Sequence, residues 1–175
     1  MRKPGIMGIV LPKAEHPEQI AQVAASLIDE ARVLPILETA LGVWNTLALA
    51  QIPGVERVAF GAIDFQLDTG ITGEHEELLY ARSCLILASR VAGILPPVDG
   101  VTTALDDIAR LQGDVERARR LGFGGKLLCW PCGTSILEST VCASTFFFSS
   151  HFALVKYMEL CGKWRTALSI FSERV

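Results

Sequence analysis

Short apolar runs alternate with amphipathic stretches from residue 5 to residue 129. Residues 5–11 are apolar and stop at Pro12-Lys13, which predicts a buried parallel strand. Residues 18–30 then read as a helix, with Ile20, Val23, Ala24, Leu27 and Ile28 at helical spacing and Pro17 suited to the first turn. A strand over 33–38 follows, then a short helix over 45–51 closed by Pro53-Gly54. Residues 55–64 read as another strand, and 68–73 as a glycine-rich loop. A long helix with a leucine-rich face covers 76–92. Pro96-Pro97 marks a turn before a short strand at 98–101. A helix with a charged outer face spans 105–121, and a last strand spans 122–128. This alternation predicts an α/β fold with a parallel sheet and helical crossovers, as four βα units and a fifth strand.

The texture changes after Cys129. Of 13 aromatic residues 8 lie from Trp130 onward, and 4 of the 5 cysteines lie from Cys129 onward. Periodicity is poor until residues 152–168, where the spacing allows a helix. The pattern divides the chain into an α/β domain, residues 1–128, and an atypical tail, 129–175.

Charge excludes little but points away from some partners. The 16 basic and 19 acidic side chains leave a net charge of -3, which gives no case for nucleic acid. The basic cluster Arg117, Arg119 and Arg120 sits beside Asp114 and Glu116 and reads as a solvated helix face. Half the residues are hydrophobic and the mean hydropathy is +0.38, yet no charge-free apolar run of about 18 residues occurs. No membrane association is therefore expected. The N-terminus makes a poor signal peptide, and the expected location is the cytoplasm. Five cysteines there read first as free thiols.

Two acidic residues carry the candidate chemistry. Glu38 ends the run Val33-Leu34-Pro35-Ile36-Leu37, and Asp64 ends Val58-Ala59-Phe60-Gly61-Ala62-Ile63. Carboxylates at the C-terminal tips of buried parallel strands sit where such folds keep their active sites. Two on neighbouring tips can hold one hard divalent cation, with water and substrate oxygens filling the other positions. The competing reading makes them strand-end residues that cap helices or accept backbone N–H groups.

Five motifs in order resemble the HpcH/HpaI aldolase and citrate lyase β-subunit family, in particular its CoA-ester lyase branch. They are Ile9-Val10-Leu11-Pro12-Lys13-Ala14-Glu15, Pro35-Ile36-Leu37-Glu38-Thr39-Ala40 with Gly42, Phe60-Gly61-Ala62-Ile63-Asp64-Phe65, Pro97-Val98-Asp99-Gly100-Val101 and Gly122-Phe123-Gly124-Gly125-Lys126. The resemblance covers residues 5–128. It implies a partial (β/α)₈ TIM barrel, about the last five strands, since 175 residues fall short of the roughly 250 of a complete one. It implies that Glu38 and Asp64 bind Mg²⁺, with Mn²⁺ as a substitute, and take part in catalysis. It further implies reversible cleavage of a C–C bond next to a carbonyl, in a 3-hydroxyacyl-CoA thioester or a related 2-oxo acid. The backbone N–H groups of Gly61, Ala62 and Ile63 are the expected cradle for the acid's carboxylate, with Glu38 beside it.

The same comparison implies that the early barrel strands, a substrate-contacting arginine and a C-terminal lid are missing. Impaired lyase activity is the resulting expectation. The alternative is a non-catalytic homologue that works through assembly with a partner chain. Five parallel strands with two open edges also imply self-association, as a homo-oligomer.

The remaining motifs stay open. Lys13 orients a site carboxylate or is a solvated strand-end lysine. Asp99 supports a site residue from behind or contacts substrate, or is part of a turn-forming Asp-Gly. Cys129-Trp130-Pro131-Cys132 is a lone CxxC, weak evidence for redox chemistry or zinc. His16, His75 and His151 lie far apart and read as surface histidines. Phe146-Phe147-Phe148 reads as a buried or aggregation-prone segment.

Overall fold

The computed structural model describes residues 8–27, 32–104 and 107–127, together with the backbone of 152–159 and 164–170. Strand β1 (Gly8–Leu11) leads into helix α1 (Pro17–Ser26) and strand β2 (Arg32–Leu37). Two short helices follow, α2 (Ala40–Trp44) and α3 (Thr46–Ala50), before strand β3 (Ala59–Phe60) and helix α4 (Ala62–Thr69). Helix α5 (Leu79–Ala92), strand β4 (Val98–Asp99), helix α6 (Ile108–Leu121) and strand β5 (Gly125–Lys126) complete the alternation. Strands β1 to β5 pair in sequence order, and every pair is parallel. The α/β fold with a parallel sheet expected from the apolar pattern is the fold observed.

Two elements of the tail differ from expectation. Residues 152–168 are not helical: β6 (Phe152–Glu159) and β7 (Trp164–Ile170) form an antiparallel pair. Helical spacing was a poor guide there because strand pairing is settled by partners distant in sequence, which a local period cannot show. The outer strands of this pair also meet the parallel sheet. β6 pairs antiparallel with β5, and β7 pairs parallel with β1, so the order runs β1-β2-β3-β4-β5-β6-β7 and returns to β1. Neither β1 nor β5 is therefore an open edge, which removes the reason given for self-association. The CxxC, His151 and Phe146 to Phe148 lie outside the described residues.

The strand expected over 55–64 is shorter for a local reason. Only an isolated bridge, Val33 to Val55, precedes β3. At Gly61 the chain changes partner type. Its N–H still donates to Leu37 O at 3.0 Å, as a strand residue would, while its carbonyl already accepts the Phe65 N–H at 3.0 Å, as a helix N-cap does. Asp64 therefore stands in the first turn of α4, not on a strand tip. Residues 68 and 69, expected in a loop, continue that helix to Gly70. Helix α2 was also not legible, because five residues are too few for a helical period. Its ends explain it instead. Thr39 Oγ1 accepts the Gly42 N–H at 3.1 Å, and Asp68 Oδ2 on α4 accepts the Ala40 N–H at 2.7 Å.

Side-chain alternation separates two apolar clusters. Val10, Leu34, Ile36, Ala59, Val98 and Leu127 pack together on one face of the sheet. Val33, Leu37 and Phe60 belong to the other face, where Ile20 of α1, Leu49 of α3 and Leu85 of α5 cover them. The period of two assigns the strand-end residues in the same way. Glu38 continues the Leu34 and Ile36 side, whereas Asp99 and Lys126 fall on the helix side. No helix among the described residues is long and apolar enough to cross a membrane.

Gly42 tests how closely α2 packs. An alanine in a helix interior usually gains about 0.5–1 kcal/mol over glycine. Here a Cβ would lie 2.6 Å from the carbonyl oxygen of Ala14, which is backbone and cannot swing aside. Gly42→Ala is expected to lose about 1–3 kcal/mol in urea unfolding. A gain in stability would contradict the contact.

Candidate active site

Glu38 is the best-defined member of the site. It follows β2 directly and is only 7% exposed. Its Oε1 accepts the backbone N–H of Lys13 at 2.8 Å. Lys13 has a left-handed backbone, φ +48°, uncommon for a residue with a side chain. That twist after β1 accompanies the turn of the Lys13 N–H toward Glu38. The two sequence readings of Lys13 thus both hold in part: it orients the carboxylate, but through its backbone, while its side chain is exposed. The other side of Glu38 rests on Gly61. A Cβ there would fall 2.4 Å from Glu38 Cβ and 2.6 Å from Oε2. The glycine is required by this close approach.

Asp64 lies beyond that turn, and its charge acts on Glu38. It is exposed and lies in the first turn of α4, where the helix dipole favours a negative charge. Burial pushes the Glu38 carboxyl up to about 7; the Lys13 N–H opposes this, the Asp64 charge adds to it, and the Lys13 ammonium opposes it weakly. Of the expected N–H cradle, Gly61 is not available, since its N–H belongs to the sheet. Ala62 and Ile63 remain, because first-turn N–H groups have no acceptor within their own helix. Among the described residues no three His, Cys, Asp or Glu side chains cluster as a metal site.

A second group of charges lies nearby on the helix face of the sheet. Arg82 of α5 donates from Nε to Asp99 Oδ1 at 2.9 Å. Lys126 Nζ donates to Asp99 Oδ2 at 3.5 Å and to Gly100 O at 2.5 Å. All three side chains are buried. Burial holds the Lys126 ammonium below its ordinary range, with Asp99 and Asp114 pulling the other way. These groups border a cavity that also touches Ile63, His75 and Arg117. Asp99 is thus a partner of buried cations at the end of β4, and its Asp-Gly spacing is not a free surface turn. Sequence reasoning missed Arg82. Its signal was a lone arginine on a leucine-rich helix face, which must find an acid if buried. His75 is exposed, as expected of a surface histidine, and contacts Arg117 at the cavity rim. Arg119 and Arg120 do form a solvated face with Glu116. His16 stands at the start of α1, where its N–H donates to Gln19 Oε1.

Functional groups of parallel α/β sheets gather beyond the carboxyl ends of the strands, and Glu38, Asp99 and Lys126 occupy that edge. The fold and site define an α/β protein with an acidic strand-end centre. The family described as HpcH/HpaI aldolase/citrate lyase matches residues 1–131, and the chain belongs to it. A citrate lyase subunit beta-like protein of Deinococcus radiodurans is 39% identical over 138 residues, which are 76% of this chain and 48% of that protein. A (3S)-malyl-CoA thioesterase of Cereibacter sphaeroides is 30% identical over 139 residues, 78% of this chain and 48% of that one. The chain spans about half the length of the curated relatives it matches. Among solved structures, the citrate lyase beta subunit of M. tuberculosis, complexed with oxaloacetate and magnesium, superposes with a TM-score of 0.60 at 24% identity. The match covers 70% of this chain and 55% of that chain, and it speaks to the fold alone.

The raised Glu38 pKa makes stability depend on pH. Folded protein holds a proton on Glu38 between an ordinary 4.5 and about 7, whereas the unfolded chain has lost it. Stability from this group is therefore full below 4.5 and falls as pH rises to about 7. The loss is on the order of 3 kcal/mol. In metal-free buffer, Glu38→Gln should flatten the difference between urea midpoints at pH 5 and pH 8. An unchanged difference would show that Glu38 titrates normally.

Proposed function

We propose that this chain supplies the metal side of the active site of a Mg²⁺-dependent carbon-carbon lyase. The reaction is cleavage of a 3-hydroxyacyl-CoA or a related 2-oxo acid aldol. Strands β1 to β5 are then five successive strands of a (β/α)₈ barrel, and the location is cytoplasmic. The observation that carries the reading is the Glu38 carboxylate. It is buried, held on one oxygen by the Lys13 N–H, and raised in pKa first by that burial and further by the Asp64 charge. Left alone, such a pair is unfavourable; a shared divalent cation relieves both the desolvation and the repulsion. Two oxygen donors without histidine or thiolate suit Mg²⁺ or Mn²⁺ and not zinc. The names of the curated relatives support the class.

Glu38 and Asp64 would hold the ion. When bound, it would polarise the carbonyl of the oxo acid and offset the negative charge that develops there. The chain's own groups do the rest of the positioning. The Lys13 N–H keeps Glu38 from turning away. The Ala62 and Ile63 N–H groups, at the positive end of α4, bind the acid's carboxylate. During cleavage the bond between the thioester α-carbon and the carbinol carbon breaks. The electron pair stays on the α-carbon as an enolate, the hydroxyl proton passes to water as the oxo acid's carbonyl forms, and the enolate carbon takes a proton back from water to give the acyl thioester.

Titration calorimetry tests the site. The chain is expected to bind Mn²⁺ and Mg²⁺, and Glu38→Ala or Asp64→Ala should abolish binding. Gly61→Ala should weaken it severely by driving a Cβ into Glu38. Equal affinity in wild type and both acid variants would refute the site, and so would a preference for zinc.

A further inference from the structure

We propose that Arg82, Asp99 and Lys126 are positioning residues for the Phe60-Gly61-Ala62 turn, and through it for Asp64. The inference rests on the reading of Asp64 as a site residue. The three charges grip that turn at two points. The Arg82 guanidinium lies over the Phe60 ring, 5.5 Å from its centroid, and also donates from Nη1 to the Glu74 carbonyl at 3.0 Å. Lys126 holds the carbonyl of Gly100, and Gly100 abuts the start of α4. A Cβ at Gly100 would lie 2.9 Å from Ala62 Cβ, 3.1 Å from Phe60 O and 3.3 Å from Ala62 N. Asp99 joins the two grips, since one oxygen takes Arg82 and the other takes Lys126.

The energetics favour a positional role over a stabilising one. Burying three charges carries a desolvation cost, and replacing a buried ion pair by well-packed apolar groups is often neutral or stabilising. Retention of such groups makes sense where they fix one geometry among several. The segment they fix is short: two strand residues, one glycine, then the first turn of a helix. Glycine at the switch gives it little stiffness of its own. Asp64 and the Ala62 and Ile63 N–H groups all depend on where that first turn stands. The grip comes from the helix face of the sheet, so it does not crowd the Glu38 side.

Two amides report the turn directly. Gly61 N–H donates to Leu37 O, and Phe65 N–H donates to Gly61 O. Their hydrogen exchange is read by NMR in metal-free protein and normalised to the amide of Leu49, which donates to Asn45 O in α3. In Lys126→Met, a near-isosteric loss of charge, both normalised rates should rise about ten-fold or more, roughly 1.4 kcal/mol of local opening. Gly100→Ala, which leaves every charge in place, should do the same. Mn²⁺ affinity should fall about ten-fold in both. Ile20→Ala, a core variant on α1, should lower stability and leave the normalised rates and Mn²⁺ affinity within two-fold. Normalised rates within two-fold of wild type in both turn variants, or in whichever of them folds, would overturn the proposal. Failure of the wild-type chain to bind Mn²⁺ would overturn the lyase reading instead, and the exchange ratios would still decide the positioning role.

Discussion

The hydrogen bond from the Lys13 backbone to Glu38 is the constraint on which the candidate site depends. A carboxylate that is 7% exposed has lost most of its water. It keeps its place through one N–H at 2.8 Å and through contact with a glycine that offers no side chain. The donor comes from the end of β1, the acceptor from the end of β2, and the glycine from the end of β3. Parallel pairing of these three strands is thus what assembles the site. The fold supplies the register, and the register brings three loop residues to one point.

The arrangement is incomplete as a set of charges. One N–H offsets only part of the desolvation of a carboxylate, and Asp64 makes the balance worse. A purely structural acid would be expected to find an arginine, as Asp99 does with Arg82 on the opposite face of the same sheet. The contrast between these two buried acids is informative. Asp99 is paired with two buried cations, Arg82 and Lys126. Glu38 is left under-compensated beside a second acidic charge, at the strand end where such folds bind ligands.

Much of this was legible from the residues. Strict apolar runs ending in a polar residue gave away β1, β2 and their ends, because a parallel strand covered on both faces must be apolar throughout. The helix ends read at residues 92 and 121 are those of α5 and α6, and Gly93 and Gly122 follow them with φ of +73° and +102°. Glu38 and Asp64 were picked out by position as strand tips; Glu38 follows β2, Asp64 stands on α4, and its charge acts on Glu38. The rest depended on contacts that spacing does not encode. Asp64 reads as a strand end because the switch at Gly61 is made by one carbonyl bonding forward to Phe65. Helix α2 exists through two end contacts, one of them from Asp68 in another helix. The pairing of Arg82 with Asp99 spans 17 residues and that of Lys126 with Asp99 spans 27. β6 and β7 find their places through partners at the far end of the chain.

The most direct test of the central claim is an anomalous diffraction map of crystals soaked in Mn²⁺, collected at the manganese edge. A single peak within coordinating distance of both the Glu38 and the Asp64 carboxylate, lost in Glu38→Gln crystals, is the expected result. A map without that peak at saturating Mn²⁺, or with manganese bound elsewhere and Glu38 still held only by the Lys13 N–H, would contradict it.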